Sequence, residues 1–165
     1  DEVTESTAQH LSRKYGMSLS EAEAGLEEMA ARFDELGLVF DWRSARICST
    51  FDAHRLAALA AEHDRADAVD EDLRRAHFSE GRSISDPAVL REIADRAGLS
   101  AATVDSLLAG NDYAHTVRED METARQLGVR GVPFFVFDGR LAVSGAQPVE
   151  VFSQALQQAL DSAAS

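Results

Sequence analysis

Apolar residues recur at helical spacing from the start of the chain to about Leu127, and the residues between the runs are those that start and stop helices. The pattern predicts about seven helices before any strand. His10 to Tyr15 is short and ends at Gly16. Ser20 and Glu23 have the spacing of a capping box, and Ala22, Leu26, Met29, Ala30 and Phe33 then share a face until Gly37. Leu38 to Ser49 carries Val39, Phe40, Trp42 and Ile47 without a steady period, which predicts an extended, partly buried connection. Ser49 or Thr50 caps a helix with Leu56, Leu59 and Ala60 inward, and the next carries Val69, Leu73, Ala76 and Phe78 up to Gly81. Asp86-Pro87 supplies an N-cap with proline at the first helical position, ahead of Val89, Leu90, Ile93 and Ala94. Ser100 opens a further helix that ends near Gly110. Asn111 or Asp112 opens a longer one through Val117, Met121, Ala124 and Leu127.

After Gly128 the period changes. Val132-Pro133-Phe134-Phe135-Val136-Phe137, then Asp138-Gly139, then Leu141-Ala142-Val143 predicts a β-hairpin with a two-residue turn. Pro148 and Val149 open a last helix bearing Phe152, Ala155, Leu156, Ala159 and Leu160. Phe134 to Phe137 is apolar at every position, the mark of a strand covered on both faces inside a sheet. An isolated hairpin cannot cover it, so the strand needs a neighbour from a segment outside the sequence or from another chain. Leu38–Trp42 is the one internal candidate.

The chain has 165 residues, 45% of them hydrophobic, enough for a core without metal or disulfide support. Acidic residues outnumber basic ones 29 to 16, and the formal charge of −13 disfavours nucleic acid and anionic membrane surfaces as partners. No apolar run approaches the roughly 20 residues of a membrane span. The one cysteine, Cys48, cannot form an internal disulfide, which makes the cytoplasm the expected compartment. Cys48 lies just before a helix start but has no resolving partner, and it is read as a small buried apolar residue. The five histidines, His10, His54, His63, His77 and His115, show no ligand spacing, so no metal is expected. Glu27-Glu28 and Asp70-Glu71-Asp72 are read as solvated helix faces.

The run Gly128-Val129-Arg130-Gly131-Val132-Pro133-Phe134-Phe135, the hairpin after it and Ser144-Gly145-Ala146-Gln147-Pro148 closely resemble the C-terminal half of the DsbA-like thioredoxin family. Thr50-Phe51-Asp52-Ala53-His54-Arg55-Leu56 and Ala76-His77-Phe78-Ser79-Glu80-Gly81-Arg82-Ser83-Ile84-Ser85-Asp86 resemble the inserted helical domain of its FrnE-type branch. The resemblance implies an α/β, thioredoxin-like (DsbA-like) fold with a large helical insertion. Residues 1–111 would be the insertion and 112–165 the C-terminal half of the thioredoxin-like domain. The first strand, the Cys-x-x-Cys helix and the second strand of that family have no counterpart in the sequence, and the first strand is the neighbour that Phe134–Phe137 needs.

The implied activity of the intact protein is thiol-disulfide exchange with protein or small-molecule substrates, the 165 residues being inactive alone and requiring no cofactor. Gly131, Val132 and Pro133 would form a cis-proline loop whose backbone at Val132 pairs with an extended substrate, whereas an ordinary trans proline would merely begin a strand. His54 would face the thioredoxin module, or else bond a neighbouring helix end. In the kappa glutathione transferases and hydroxychromene-carboxylate isomerases, relatives of this family, the region matching Ser144, Gly145, Ala146 and Gln147 helps hold glutathione at a helix N-terminus. A plain strand-to-helix turn is the other reading of these four residues. Two alternatives therefore accompany the exchange reading: a glutathione-dependent isomerase or transferase with glutathione as substrate, and a non-catalytic binding protein that completes its sheet as a homodimer.

Overall fold

Serine caps set the first two helices. α1 (Thr7–Tyr15) starts at Ser6, whose hydroxyl accepts from the Gln9 amide at 3.2 Å while the Gln9 side chain accepts from the Ser6 amide at 2.9 Å. α2 (Leu19–Glu35) repeats the device with Ser18 and Glu21. The capping box therefore lies two residues before the Ser20/Glu23 pair predicted from spacing. Gly16 reverses the chain at φ 67 and leaves only Met17 and Ser18 before the helix, so the earlier serine captures the free amides. The computed structural model describes residues 5–45 and 47–163. The chain divides into two units, Asp1–Val117 and Arg118–Ser165.

In the first unit, Ala22 and Leu26 of α2 pack with Ala8 and Trp42 in a small cluster. Ala30 packs against that cluster, whereas Met29, expected on the same face, is exposed and Phe33 is half-buried. The 38–49 connection, expected to be extended, is interrupted by a turn at 42–44, where the Ala45 amide donates to the Asp41 carbonyl at 3.0 Å; Arg46 within it lies outside the described residues. It is tied to a distant segment by two bonds. The Asp41 amide donates to the Phe78 carbonyl at 2.8 Å, and the Ser79 hydroxyl donates to the Val39 carbonyl at 2.7 Å. Gly81 completes the contact: at φ +62 its absent Cβ would stand 2.5 Å from Cβ of Ser44 and 2.8 Å from the Ser44 carbonyl oxygen.

The main core lies among α3 (Phe51–Glu62), α4 (Ala66–Arg74), α5 (Pro87–Arg96) and α6 (Ala101–Ala109). Leu56, Leu90, Ile93, Val69, Val104 and Leu107 are its fully buried large side chains, each worth about 1.5–3 kcal/mol of transfer free energy. Asp86 caps α5 by accepting from the Ala88 amide at 2.8 Å, with Pro87 at the first helical position. Asp72, nearly buried, accepts from Arg96 Nε at 2.7 Å and pairs with Arg75, tying α4 to α5.

One departure from prediction follows α4. The segment expected to carry Ala76 and Phe78 on one buried face is a π-helical turn, Arg75–Ser79, in which Ala76 stays buried and Phe78 faces outward. The wider turn adds a residue per revolution and breaks the period on which the expectation rested.

α7 (Ala114–Gln126) buries Ala114 and Val117, while Met121 and Leu127, predicted on the same face, are exposed. The second unit contains the hairpin β1 (Phe134–Phe137) and β2 (Leu141–Ser144), antiparallel with Phe134 opposite Ser144 and Phe137 opposite Leu141. The connection is three residues, not two. Asp138 and Gly139 take positive φ as a type I′ turn requires, and the Arg140 amide donates to the Phe137 carbonyl at 3.1 Å, leaving Arg140 as an extra residue before pairing starts. α8 (Val149–Ala163) packs on the hairpin through Phe152, whose ring meets Phe135 edge-on at 4.9 Å. Leu156 and Leu160, expected on its buried face, are exposed.

β1 is not covered on both faces. Phe135 and Val136 remain 41% and 40% exposed, and among the described residues β2 is the only strand paired with β1. Leu38–Trp42 forms no strand.

Candidate functional site

The loop that leads into β1 is shaped at both ends. α7 closes in a Schellman motif: Gly128 at φ 74 lets the Val129 amide donate to the Ala124 carbonyl at 3.0 Å and its own amide to Arg125 at 3.1 Å. Gly131 is exposed, and no heavy atom lies within 4 Å of where its Cβ would be. The Val132–Pro133 peptide bond is cis. Val132 is 87% exposed, and its amide and carbonyl make no hydrogen bond among the described residues.

The structure brings this loop together with the predicted residues after β2. The Gly145 amide donates to the Pro133 carbonyl at 2.8 Å, with Gly145 at φ 83. The Gln147 amide donates to Gly145 at 3.1 Å, and the Gln147 side-chain amide folds back to donate to the Ser144 carbonyl at 2.9 Å. Ala146 lies within this turn and is exposed. Pro133 is thus held through its own carbonyl, while the backbone of the residue before it stays open to solvent. An extended chain laid beside Val132 would find one donor and one acceptor ready.

His54 belongs to the first unit. It is exposed on α3, and its side chain makes no hydrogen bond among the described residues. The bond to a helix end considered for His54 is made by its neighbour Arg55, 4% exposed. Arg55 Nε donates to the Asp112 carbonyl at 2.8 Å, and Nη2 donates to the carbonyls of Leu107 and, at 2.9 Å, Gly110, where α6 ends. Nη1 completes the set with Asp52 at 2.8 Å. Sequence reasoning missed Arg55. The available signal was an arginine beside Leu56, Leu59 and Ala60 on a helix face otherwise buried, with a carboxylate three residues before it.

Cys48 is free and half-buried, packed against the main core. His77 is half-buried with Nδ1 enclosed and unpaired, and burial pushes its imidazole below the ordinary value. Tyr113, at φ 61, donates its hydroxyl to the Glu62 carboxylate at 2.6 Å; that charge and partial burial push the phenol up to about 12. Among the described residues no group of three or more His, Cys, Asp or Glu side chains could hold a metal, and no helix is long and apolar enough to cross a membrane.

Residues 6–157 match the DsbA-like thioredoxin domain family. A crystal structure described as a probable DsbA oxidoreductase from Streptomyces coelicolor is similar to this chain at 44% identity and a TM-score of 0.83, over 95% of this chain and 68% of that one. No curated protein matches the sequence. The match spans nearly the whole sequence and takes in both the helical unit and the loop before β1, so this chain belongs to the DsbA-like thioredoxin domain family.

Proposed function

We propose that this chain is the substrate-facing part of a thiol-disulfide oxidoreductase of the FrnE-type branch, in which the Val132 backbone holds an extended thiol substrate. The observation that carries the reading is the open amide and carbonyl of Val132, in a loop fixed by the Gly145–Pro133 hydrogen bond. Exchange requires two enzyme thiols: a substrate thiolate attacks an enzyme disulfide, a mixed disulfide forms with loss of one enzyme thiolate, and a second substrate thiolate releases oxidised substrate. The sequence contains one cysteine, half-buried and without a partner. The reactive pair therefore comes from residues outside these 165, and the free edge of β1 is where a strand carrying them would pair.

Insulin reduction tests the reading. The 165-residue chain, assayed with glutathione, is expected to be inactive, and the natural polypeptide that carries it is expected to be active. Turnover by the 165-residue chain with Cys48→Ser would overturn the proposal, as would an inactive natural polypeptide.

A further inference from the structure

Several features at the end of α2 meet no need of the fold. Leu36, Leu38 and Val39 are 75%, 55% and 63% exposed, and Phe78, bonded through its carbonyl to the Asp41 amide, is 40% exposed. The rings of Phe33, Phe40 and Phe78 form a row, with successive centroids 5.1 Å and 6.0 Å apart. The connection is fastened at three points: Val39 O and Asp41 N bond to Ser79 and Phe78, and Leu38 N to Phe33. The Val39 and Phe40 amides and the Leu38 and Phe40 carbonyls make no hydrogen bond among the described residues. The carboxylates of Asp34 and Glu35 make no ion pair or hydrogen bond among the described residues, and they lie in the last turn of α2, where the helix dipole favours cations. The nearby Arg32 is engaged by Glu28 at 2.6 Å.

We infer that this surface, formed by the end of α2, residues 36–40 and Phe78, docks an extended apolar polypeptide segment flanked by lysine or arginine. The unpaired backbone calls for an extended chain, because strand addition supplies donors and acceptors at the required spacing. The exposed leucines, valine and phenylalanine call for apolar side chains on it. The two free carboxylates choose the charge: a cation beside them satisfies both their own field and that of the helix terminus. This surface is distinct from Val132, and the inference does not depend on the exchange reading.

Fluorescence anisotropy tests it with two labelled peptides of alternating leucine and threonine, one with lysine pairs at its ends and one with glutamate pairs. The natural polypeptide and the 165-residue chain are both expected to bind the lysine peptide at least about tenfold more tightly at low salt, a preference that shrinks as salt screens the charges. Asp34→Lys with Glu35→Lys is expected to reverse the preference. Leu38→Ser with Val39→Ser is expected to abolish binding of both peptides while helical circular dichroism is unchanged. Equal affinity for the two peptides, or binding unaffected by the serine pair, overturns the inference. So does binding by the 165-residue chain but not by the natural polypeptide, since a segment of the same molecule then occupies the surface. Self-association lost in the serine variant also overturns it, since the occupant is then a second copy. Insulin reduction is read separately, so failure here leaves the exchange reading standing.

Discussion

The buried guanidinium of Arg55 donates to the backbone carbonyl of Asp112 at 2.8 Å across 57 positions of sequence. With the carbonyls of Leu107 and Gly110 it makes Arg55 the cap of α6 and the anchor of the chain just before α7. Arg55→Met would fill similar volume but leave the Asp112 and Gly110 carbonyls without their donor, Leu107 with only the Gly110 amide, and Asp52 without its cation. The expected loss is about 2–3 kcal/mol, the scale for taking a charged donor away from buried carbonyls. A urea titration followed by circular dichroism reads it, and Arg55→Lys, which keeps the charge and fewer donors, should fall between.

Gly81 and Gly98 offer a matched pair. Both hold positive φ, +62 and +77, but only at Gly81 would a Cβ strike another residue, whereas at Gly98 nothing lies within 4 Å. Gly98→Ala should cost about 1–2 kcal/mol for the left-handed backbone alone. Gly81→Ala should cost a further 1–3 kcal/mol, on the order expected for overpacking. Equal urea midpoints for the two variants would show that the Ser44 contact yields freely.

Tyr113 should titrate late. Its phenol is raised to about 12 by the Glu62 carboxylate first and by partial burial second. A phenol raised in the folded state contributes stability that is complete below its ordinary value of 10.0 and is lost as pH climbs through about 12. Ultraviolet difference titration of the native chain against Tyr113→Phe should show the late transition, and Glu62→Gln should bring it back toward 10.0.

His77 works in the opposite sense. Burial lowers its pKa, so protonation is easier in the unfolded chain, and the stability that neutral His77 permits is complete above its ordinary value of 6.5. That stability declines as pH falls below 6.5 toward the folded value. The drop in urea midpoint between neutral and mildly acidic buffer should therefore be smaller in His77→Phe than in the native chain. An equal drop in both would mean that protonated His77 is accommodated without cost.

Helices with a full inward face and a strong stop, such as the one from Pro87 toward Gly98, were legible from sequence because cap, proline and apolar period agree. So was the hairpin, because two apolar runs flank an Asp-Gly pair suited to a tight turn. Exposure was less legible. Met29, Met121, Leu156 and Leu160 keep the helical period yet face solvent, since period reports which residues share a face and not whether anything covers it. Of the candidate site, Val132, Pro133 and Gly145 came from motif resemblance, and the structure adds the bond that joins two of them. Arg55 escaped because its partners are backbone carbonyls more than fifty positions away, which leave no trace in local composition.

The π-helical turn at Arg75–Ser79 amounts to a one-residue insertion in a helix. Each α-helical residue advances the direction of its side chain by about 100°, so removing one residue from this stretch would swing Phe78 and Ser79 around the axis by nearly a third of a revolution. The Ser79 hydroxyl would then no longer reach Val39, nor the Phe78 carbonyl the Asp41 amide. The surplus residue thus acts as a phase shifter: it converts a helix that would otherwise finish in the core into the fastening for a segment that lies far from it in the chain.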